Sequence, residues 1–274
     1  MTAVTAGTFA ELNGGTIHYE IAGDGPPVVL LHGGLLDLRQ WDDQFPVLAQ
    51  RYRVVRYDAR GFGRSPLGTV PYAHYEDLRA LLDHVGIESA HVVSLSSGMS
   101  WAVDFTLTYP DRVRSLVAGA APLRGYDVGP EFSSGMRAIY DAALAGDKAL
   151  LRERVWTFAP MRVASTLPAA RAKLDRMIVE DHQYGYARPD APARRLTEPP
   201  AATRLVQIRV PTLVIFGDGE MPALAEKGEY VARTIPGARL LVIPGAGHFV
   251  NIEQPEAYTR ILMEWLAEHE LTSP

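Results

Sequence analysis

Fifteen residues, "HVVSLSSGMSWAVDF" from His91 to Phe105, run from an apolar stretch through a knot of serines into an amphipathic stretch. A serine becomes a nucleophile when a sharp strand-to-helix turn lifts it above a sheet, and such a turn needs small residues two before and two after it. Ser96 meets this with Ser94 and Gly98, whereas Ser97 would place Leu95 and Met99 there. The turn also leaves the Ser97 N–H unsatisfied at the positive end of a helix, where it suits the oxyanion of an acyl-transfer intermediate. A second oxyanion donor is expected from "LLHGGLLD", with the Gly34 N–H preferred over its neighbour Leu35.

A serine hydroxyl needs a base. Of the eight histidines, His248 stands in a glycine-rich loop, "IPGAGHF", between a strand-like run and the helix opened by "QPE". A carboxylate must then orient the imidazole, and "PTLVIFGDGEMPALAE" offers two at a strand end, Asp218 and Glu220. Either gives the chain order serine, acid, histidine.

These residues need a frame. The runs "TIHYEIA", "PVVLLH", "YRVVRYD", "HVVSLS", "RSLVAGA", "PTLVIFGD" and "ARLLVIPG" read as strands, most without polar alternation, as in a sheet covered on both faces. Between them "DQFPVLAQ", "YAHYEDLRALLDHVG", "GMSWAVDFTLTYP" and "QPEAYTRILMEWLAEH" carry apolar spacing near 3.6. The alternation predicts an α/β fold with a mostly parallel sheet. It breaks over residues 122–205, where "FSSGMRAIYDAALAGDKALLRERVWTF" and "AARAKLDRMIVEDH" read as helices and "ARPDAPARRLTEPPAAT" as the returning loop. Residues 1–121 and 206–274 are thus expected to form the core domain and 122–205 a helical lid over the strand C-termini, where open α/β sheets bind ligands. Leu35, Met99, Tyr140, Trp156, Phe158 and Phe249 are the expected substrate-pocket residues, with Met161, Tyr184 and Tyr186 as further lid candidates.

Composition excludes several other functions. A net charge of −5 from 27 basic and 32 acidic residues, without long like-charge blocks, gives no footprint for nucleic acid. No apolar run reaches the roughly 18 residues of a membrane span. The absence of cysteine removes disulfides, thiolate zinc sites and a thiol nucleophile. "MTAVTAGTFAELNGG" has no basic segment followed by an apolar core, so a cytoplasmic protein is expected. Gly61 and Gly63 in "DARGFGRS" lack the third glycine of a dinucleotide loop, and Asp58 and Arg60 are expected to brace loops. No metal-ligand spacing occurs: His74, Glu76 and Asp77 in "AHYED" read as the polar face of a helix start. The expected partner is a small-molecule substrate, with no cofactor and no metal; nothing specifies an oligomeric state.

Taken together, "HGG" at 32–34, "YDARGFGRS" at 57–65, the Ser96 turn, "GDGE" at 217–220 and "GAGHF" at 245–249 resemble the α/β-hydrolase fold family, in particular its cap-bearing esterases, lactonases and carbon–carbon bond hydrolases. The resemblance implies an eight-stranded, mostly parallel sheet flanked by helices, with the cap inserted after strand 6. It implies Ser96 as nucleophile, His248 as base and Glu220 as acid, three residues beyond Gly217, with Asp218 and then Asp127 as alternatives. The sequence departs from the family at three places: Glu220 where most relatives carry aspartate, Ser94 at the usual first glycine, and Met99 after Gly98. The implied activity is hydrolysis of a small or medium carboxylic ester or lactone through an acyl-serine. The same triad also serves carbon–carbon hydrolysis or a non-hydrolytic biosynthetic step, and more remotely the fold serves as a ligand receptor.

Overall fold

In a computed structural model the described residues are 7–119, 123–181 and 184–270. Eight strands, β1 (Thr8–Leu12), β2 (Gly15–Ala22), β3 (Pro27–Leu31), β4 (Arg53–Tyr57), β5 (Ala90–Ser94), β6 (Val113–Gly119), β7 (Thr212–Gly217) and β8 (Arg239–Ile243), form one sheet in the order β1-β2-β4-β3-β5-β6-β7-β8. Pairing is antiparallel for β1/β2 and β2/β4 and parallel from β4 to β8. This is the α/β-hydrolase fold.

The central strands lack polar alternation because both faces are covered. Val28 and Leu30 of β3 join Val93 and Val117 in a core with α1 (Phe45–Leu48), α8 (Val250–Glu253) and α9 (Pro255–Glu268). Val29 and Leu31, one residue out of phase, join Val92 and Leu116 against α2 (His74–His84), α3 (Ser97–Thr108) and α7 (Pro222–Thr234). Each fully buried aliphatic side chain contributes about 1.5–3 kcal/mol of transfer free energy.

Among the elements not anticipated are an edge strand and a helix. β1 is an edge strand whose Phe9 is exposed, so it carries little of the apolar signal that marks the interior strands. Helix α7 contains Gly228, which reads as a helix breaker. There a Cβ would come within 2.6 Å of the Phe216 ring, so the glycine permits close packing of α7 on β7.

Between β6 and β7 lie α4 (Gly129–Leu144), α5 (Lys148–Thr157), α6 (Pro168–Asp175) and a π-helical turn, Arg176–Asp181. The expected boundary at 121/122 lies outside the described residues. Ile139, Leu151, Val155 and Leu174 from this segment join the core on the β3 Val28 face. The returning stretch is more ordered than a simple loop. The Tyr72 N–H donates to the Ala193 carbonyl (3.2 Å), the Arg195 N–H donates to the Tyr72 carbonyl (2.6 Å), and Ala201, Ala202 and Leu205 are buried against the α2/α3 side of the sheet.

Candidate active site

The turn between β5 and α3 holds Ser96 at φ 54°, ψ −133°, a region that L-residues rarely occupy and that costs on the order of 1–3 kcal/mol. Gly98 makes it feasible, since a Cβ there would meet the Leu31 and His32 carbonyl oxygens at 2.6 Å. Ser94, at the family's first glycine, is fully buried and donates its hydroxyl to the Val117 carbonyl at 2.8 Å, which satisfies the added polar atom within the sheet. Met99 is buried in the α2/α3 core. It does not line the pocket, which corrects the expectation, because its position on α3 turns it toward the sheet.

His248 Nε2 lies 2.9 Å from Ser96 Oγ, and His248 Nδ1 lies 2.8 Å from Glu220 Oε2. Glu220 accommodates its extra methylene by bending: its other oxygen accepts the N–H of the adjacent Met221 at 2.7 Å. The alternative acids are engaged elsewhere. Asp218 accepts the Gly245 N–H and Asp127 the Gly129 N–H, each at 2.8 Å on the exterior.

The loop after β3 lies directly over Ser96. A Cβ on Gly33 would be 3.0 Å from Ser96 Cβ, and one on Gly34 would be 2.4 Å from Ser97 Oγ. The Gly33 N–H is committed to Gln40 Oε1 (2.7 Å) and the Leu36 N–H to the Gly33 carbonyl (3.1 Å), with the Gly34 and Leu35 amides between them. His32 anchors the loop from beneath. Its Nε2 accepts the Ala59 N–H at 2.9 Å, so Nδ1 carries the proton and donates to the Gly33 carbonyl at 2.7 Å. Burial lowers its pKa and keeps the ring neutral.

Sequence patterns did not reveal the buried amides that join this loop to the histidine loop. Gln40 Nε2 donates to Asn251 Oδ1 (3.3 Å), Asn251 Nδ2 to the Gln40 carbonyl (2.8 Å) and Gln44 Oε1 (3.1 Å), and Gln44 Nε2 to the Asn251 carbonyl (3.1 Å). Asn251 stands three residues after His248, and its partners are some two hundred positions away in sequence, so no local spacing announces them.

Asp58 and Arg60 do brace loops. Asp58 accepts from His18 Nδ1, the Leu38 N–H and the Arg64 N–H, each at 2.8 Å, and Arg60 pairs with Asp77 at 2.8 Å. Asp77 and His74 are therefore buried, which corrects their reading as a polar helix face. Only Glu76 keeps to that reading, half-buried beside Arg79 and Tyr109. Among the described residues no group of three or more acidic or histidine side chains could hold a metal ion, and no helix is long and apolar enough to cross a membrane.

Above Ser96 is a cavity of about 380 Å³. Four expected pocket residues, Leu35, Tyr140, Phe158 and Phe249, line it, as does Met161; Val128, Phe132, Met136 and Arg194 were not anticipated. Trp156 faces away, donating Nε1–H to Asp175 Oδ1 (2.9 Å) with the Arg171 guanidinium 4.5 Å over its ring, which corrects its assignment. Tyr184 is buried among the helices, its hydroxyl on the Ile178 carbonyl, and Tyr186 donates its hydroxyl to the Gly34 carbonyl at 2.8 Å.

Two more buried ionisable groups surround the His248–Glu220 pair. Burial pulls the Lys227 ammonium down to about 7 against the opposing influence of Glu220, and its Nζ has no hydrogen-bond partner among the described residues. Glu253 accepts the Gly247 N–H through Oε2, and its Oε1 has no partner among the described residues. Burial raises it to about 7, opposed by the Gly247 bond and the His248 charge. A carboxyl whose folded pKa lies above the ordinary 4.5 stabilises the fold fully below 4.5, and that contribution is lost as pH rises toward 7. Glu253→Gln retains an acceptor for Gly247. The stability of wild type minus variant, from urea unfolding, is expected to fall between pH 4.5 and 7.5 by on the order of 3 kcal/mol; parallel profiles would refute this.

The profile of the family described as alpha/beta hydrolase fold matches residues 26–255. Among curated proteins, a 2-hydroxy-6-oxo-6-phenylhexa-2,4-dienoate hydrolase of Burkholderia cepacia is 26% identical over 263 residues, covering 92% of this chain and 91% of the relative. Among solved structures, the enol-lactonase of Burkholderia xenovorans LB400 aligns with a TM-score of 0.78 at 27% identity, covering 95% of this chain and all of that one. A thermophilic esterase of Thermogutta terrifontis aligns with a TM-score of 0.80 at 27% identity, covering 97% and 100%. The chain belongs to the alpha/beta hydrolase fold family.

Proposed function

We propose that the protein hydrolyses a small or medium carboxylic ester or lactone through an acyl-enzyme on Ser96. The supporting observation is the unbroken relay of Ser96 Oγ, His248 and Glu220, at 2.9 and 2.8 Å, at the floor of an apolar cavity. Ser96 Oγ attacks the carbonyl carbon while its proton passes to His248 Nε2. The Gly34 and Ser97 N–H groups hold the oxyanion, and Glu220 stabilises the imidazolium that forms. Collapse expels the alkoxide, which takes the proton from His248. Water, deprotonated by His248, then attacks the acyl carbon and releases the acid and Ser96. The residues between β6 and β7 act as the lid, with Phe132, Met136 and Phe158 contacting the apolar part of the substrate.

The name of one relative favours a second reading. The dienoate hydrolase of Burkholderia cepacia is named for a ketone-bearing dienoate, whereas the enol-lactonase and esterase favour the ester and lactone class. Hydrolysis of 4-nitrophenyl esters exceeding that of a vinylogous diketone is expected; the reverse ranking would give the carbon–carbon reading.

A fluorophosphonate adduct should map to Ser96 by peptide mass analysis, and Ser96→Ala should lose it together with about 10³-fold or more of kcat. Labelling at another serine would overturn the nucleophile. Glu220→Gln should reduce kcat by at least about tenfold more than Asp218→Asn, since only Glu220 reaches His248; the opposite ranking would move the acid to Asp218.

A further inference from the structure

Arg194 borders the catalytic cavity and two further cavities, and Ser97 lines all three. One, about 290 Å³, is lined by His74, Ser100, Asp104, Arg124 and Arg195. The other, about 400 Å³, contains Tyr140 and Tyr186. The cavity over Ser96 is apolar toward Phe132 and Phe158, and on the side of Ser97 and Arg194 it adjoins a cavity rich in guanidinium groups.

A solvated arginine on a returning loop needs no ligand, but several features distinguish this one. Its backbone is fixed against Tyr72 by the Ala193 and Arg195 hydrogen bonds on either side of it. Its side chain is exposed, and no hydrogen bond or ion pair engages its guanidinium among the described residues. Its charge acts on His74, Tyr72, Tyr140 and Asp104. His74 is 4% exposed, lies with its ring tilted 33° to that of Trp101 at a centroid distance of 4.1 Å, and has no partner for either ring nitrogen among the described residues. Burial holds this imidazole well below its usual pKa, with Arg194 adding to the effect, so the ring is neutral and has an uncommitted N–H. Arg124 gives Nη1 to Glu198 at 2.8 Å, while its buried Nε and Nη2 have no partner among the described residues. The single acid lining this cavity, Asp104, accepts the Thr197 hydroxyl at 2.6 Å, and burial raises its pKa. Buried donors without acceptors call for an acceptor from outside the chain.

We propose that this end of the site is a subsite for a carboxylate carried by the substrate, held by Arg194 with His74 and Arg124, so that the enzyme selects esters or lactones with an anionic group remote from the scissile carbonyl. The proposal rests on the acyl-serine reading above. Arg194 acts here as a specificity-determining residue.

The test pairs 4-nitrophenyl hydrogen pimelate with 4-nitrophenyl heptanoate, which differ in a terminal carboxylate against a methyl group. Wild-type kcat/KM should favour the anionic ester by about tenfold or more, in the range expected of charge-assisted hydrogen bonds. Arg194→Gln should reduce that ratio to near one, and Arg194→Lys should leave it intermediate. A wild-type preference for heptanoate, or a ratio unchanged in Arg194→Gln, would overturn the subsite. Calorimetric titration of Ser96→Ala with pimelate separates the two proposals. Binding weakened about tenfold or more in Ser96→Ala/Arg194→Gln supports the subsite even if neither ester is cleaved, a result that would remove only the acyl-serine reading. Binding indifferent to Arg194 would overturn the subsite.

Discussion

Ser96 occupies a backbone conformation that an isolated chain would relax, and the rest of the site is arranged around keeping it there. Gly98 supplies the necessary clearance: any larger residue would collide with the Leu31 and His32 carbonyls at the end of β3. The close approach brings the first turn of α3 against the β3 strand end. Ser96 Oγ, the Ser97 amide and the glycine loop after β3 are thereby fixed relative to one another. Strain of on the order of 1–3 kcal/mol is sustainable because the surrounding strands are buried on both faces.

Around that turn three segments distant in sequence are tied by polar groups sealed from water. His32 fastens the Gly33 carbonyl to the loop after β4, and Gln40, Gln44 and Asn251 connect the Gly33 amide with the helix that follows His248. Tyr186 fastens the Gly34 carbonyl to the segment between β6 and β7. Movement of any one loop would leave buried donors or acceptors unpaired, each at a cost of about 1–3 kcal/mol. Ser96, His248 and the amides beside them are consequently positioned as a set.

The legible parts of the sequence were those in which a local backbone demand restricts residue type. Gly98, the strand before Ser96 and the glycine-rich loop around His248 are of this kind, and so are the apolar runs of the interior strands. Glu220 required the family resemblance, because spacing alone left Asp218 equally placed; the two carboxylates differ only in whether they turn inward to His248 or outward to Gly245. Met99 and Trp156 were misplaced because residue type gives apolarity and helical period gives a face, while neither says which neighbour that face meets. His74 and Asp77 read as polar surface since their burial depends on Arg60 and Trp101, contributed by other segments.

The least legible stretch, from Pro189 to Thr203, is also the one that brings a guanidinium to the cavity over Ser96. Its composition of proline, alanine and arginine suggests a solvated connection, yet its pairing with Tyr72 delivers Arg194 to the edge of the catalytic cavity. An apolar wall formed by Phe132, Met136 and Phe158 rewards size and shape, and discriminates weakly between molecules that differ by a methylene. A guanidinium beside a neutral imidazole instead discriminates by charge, and a mismatch there leaves the buried imidazole N–H unpaired. On the proposed reading, specificity depends less on the relay than on which side chains a proline-rich returning segment sets opposite the apolar wall.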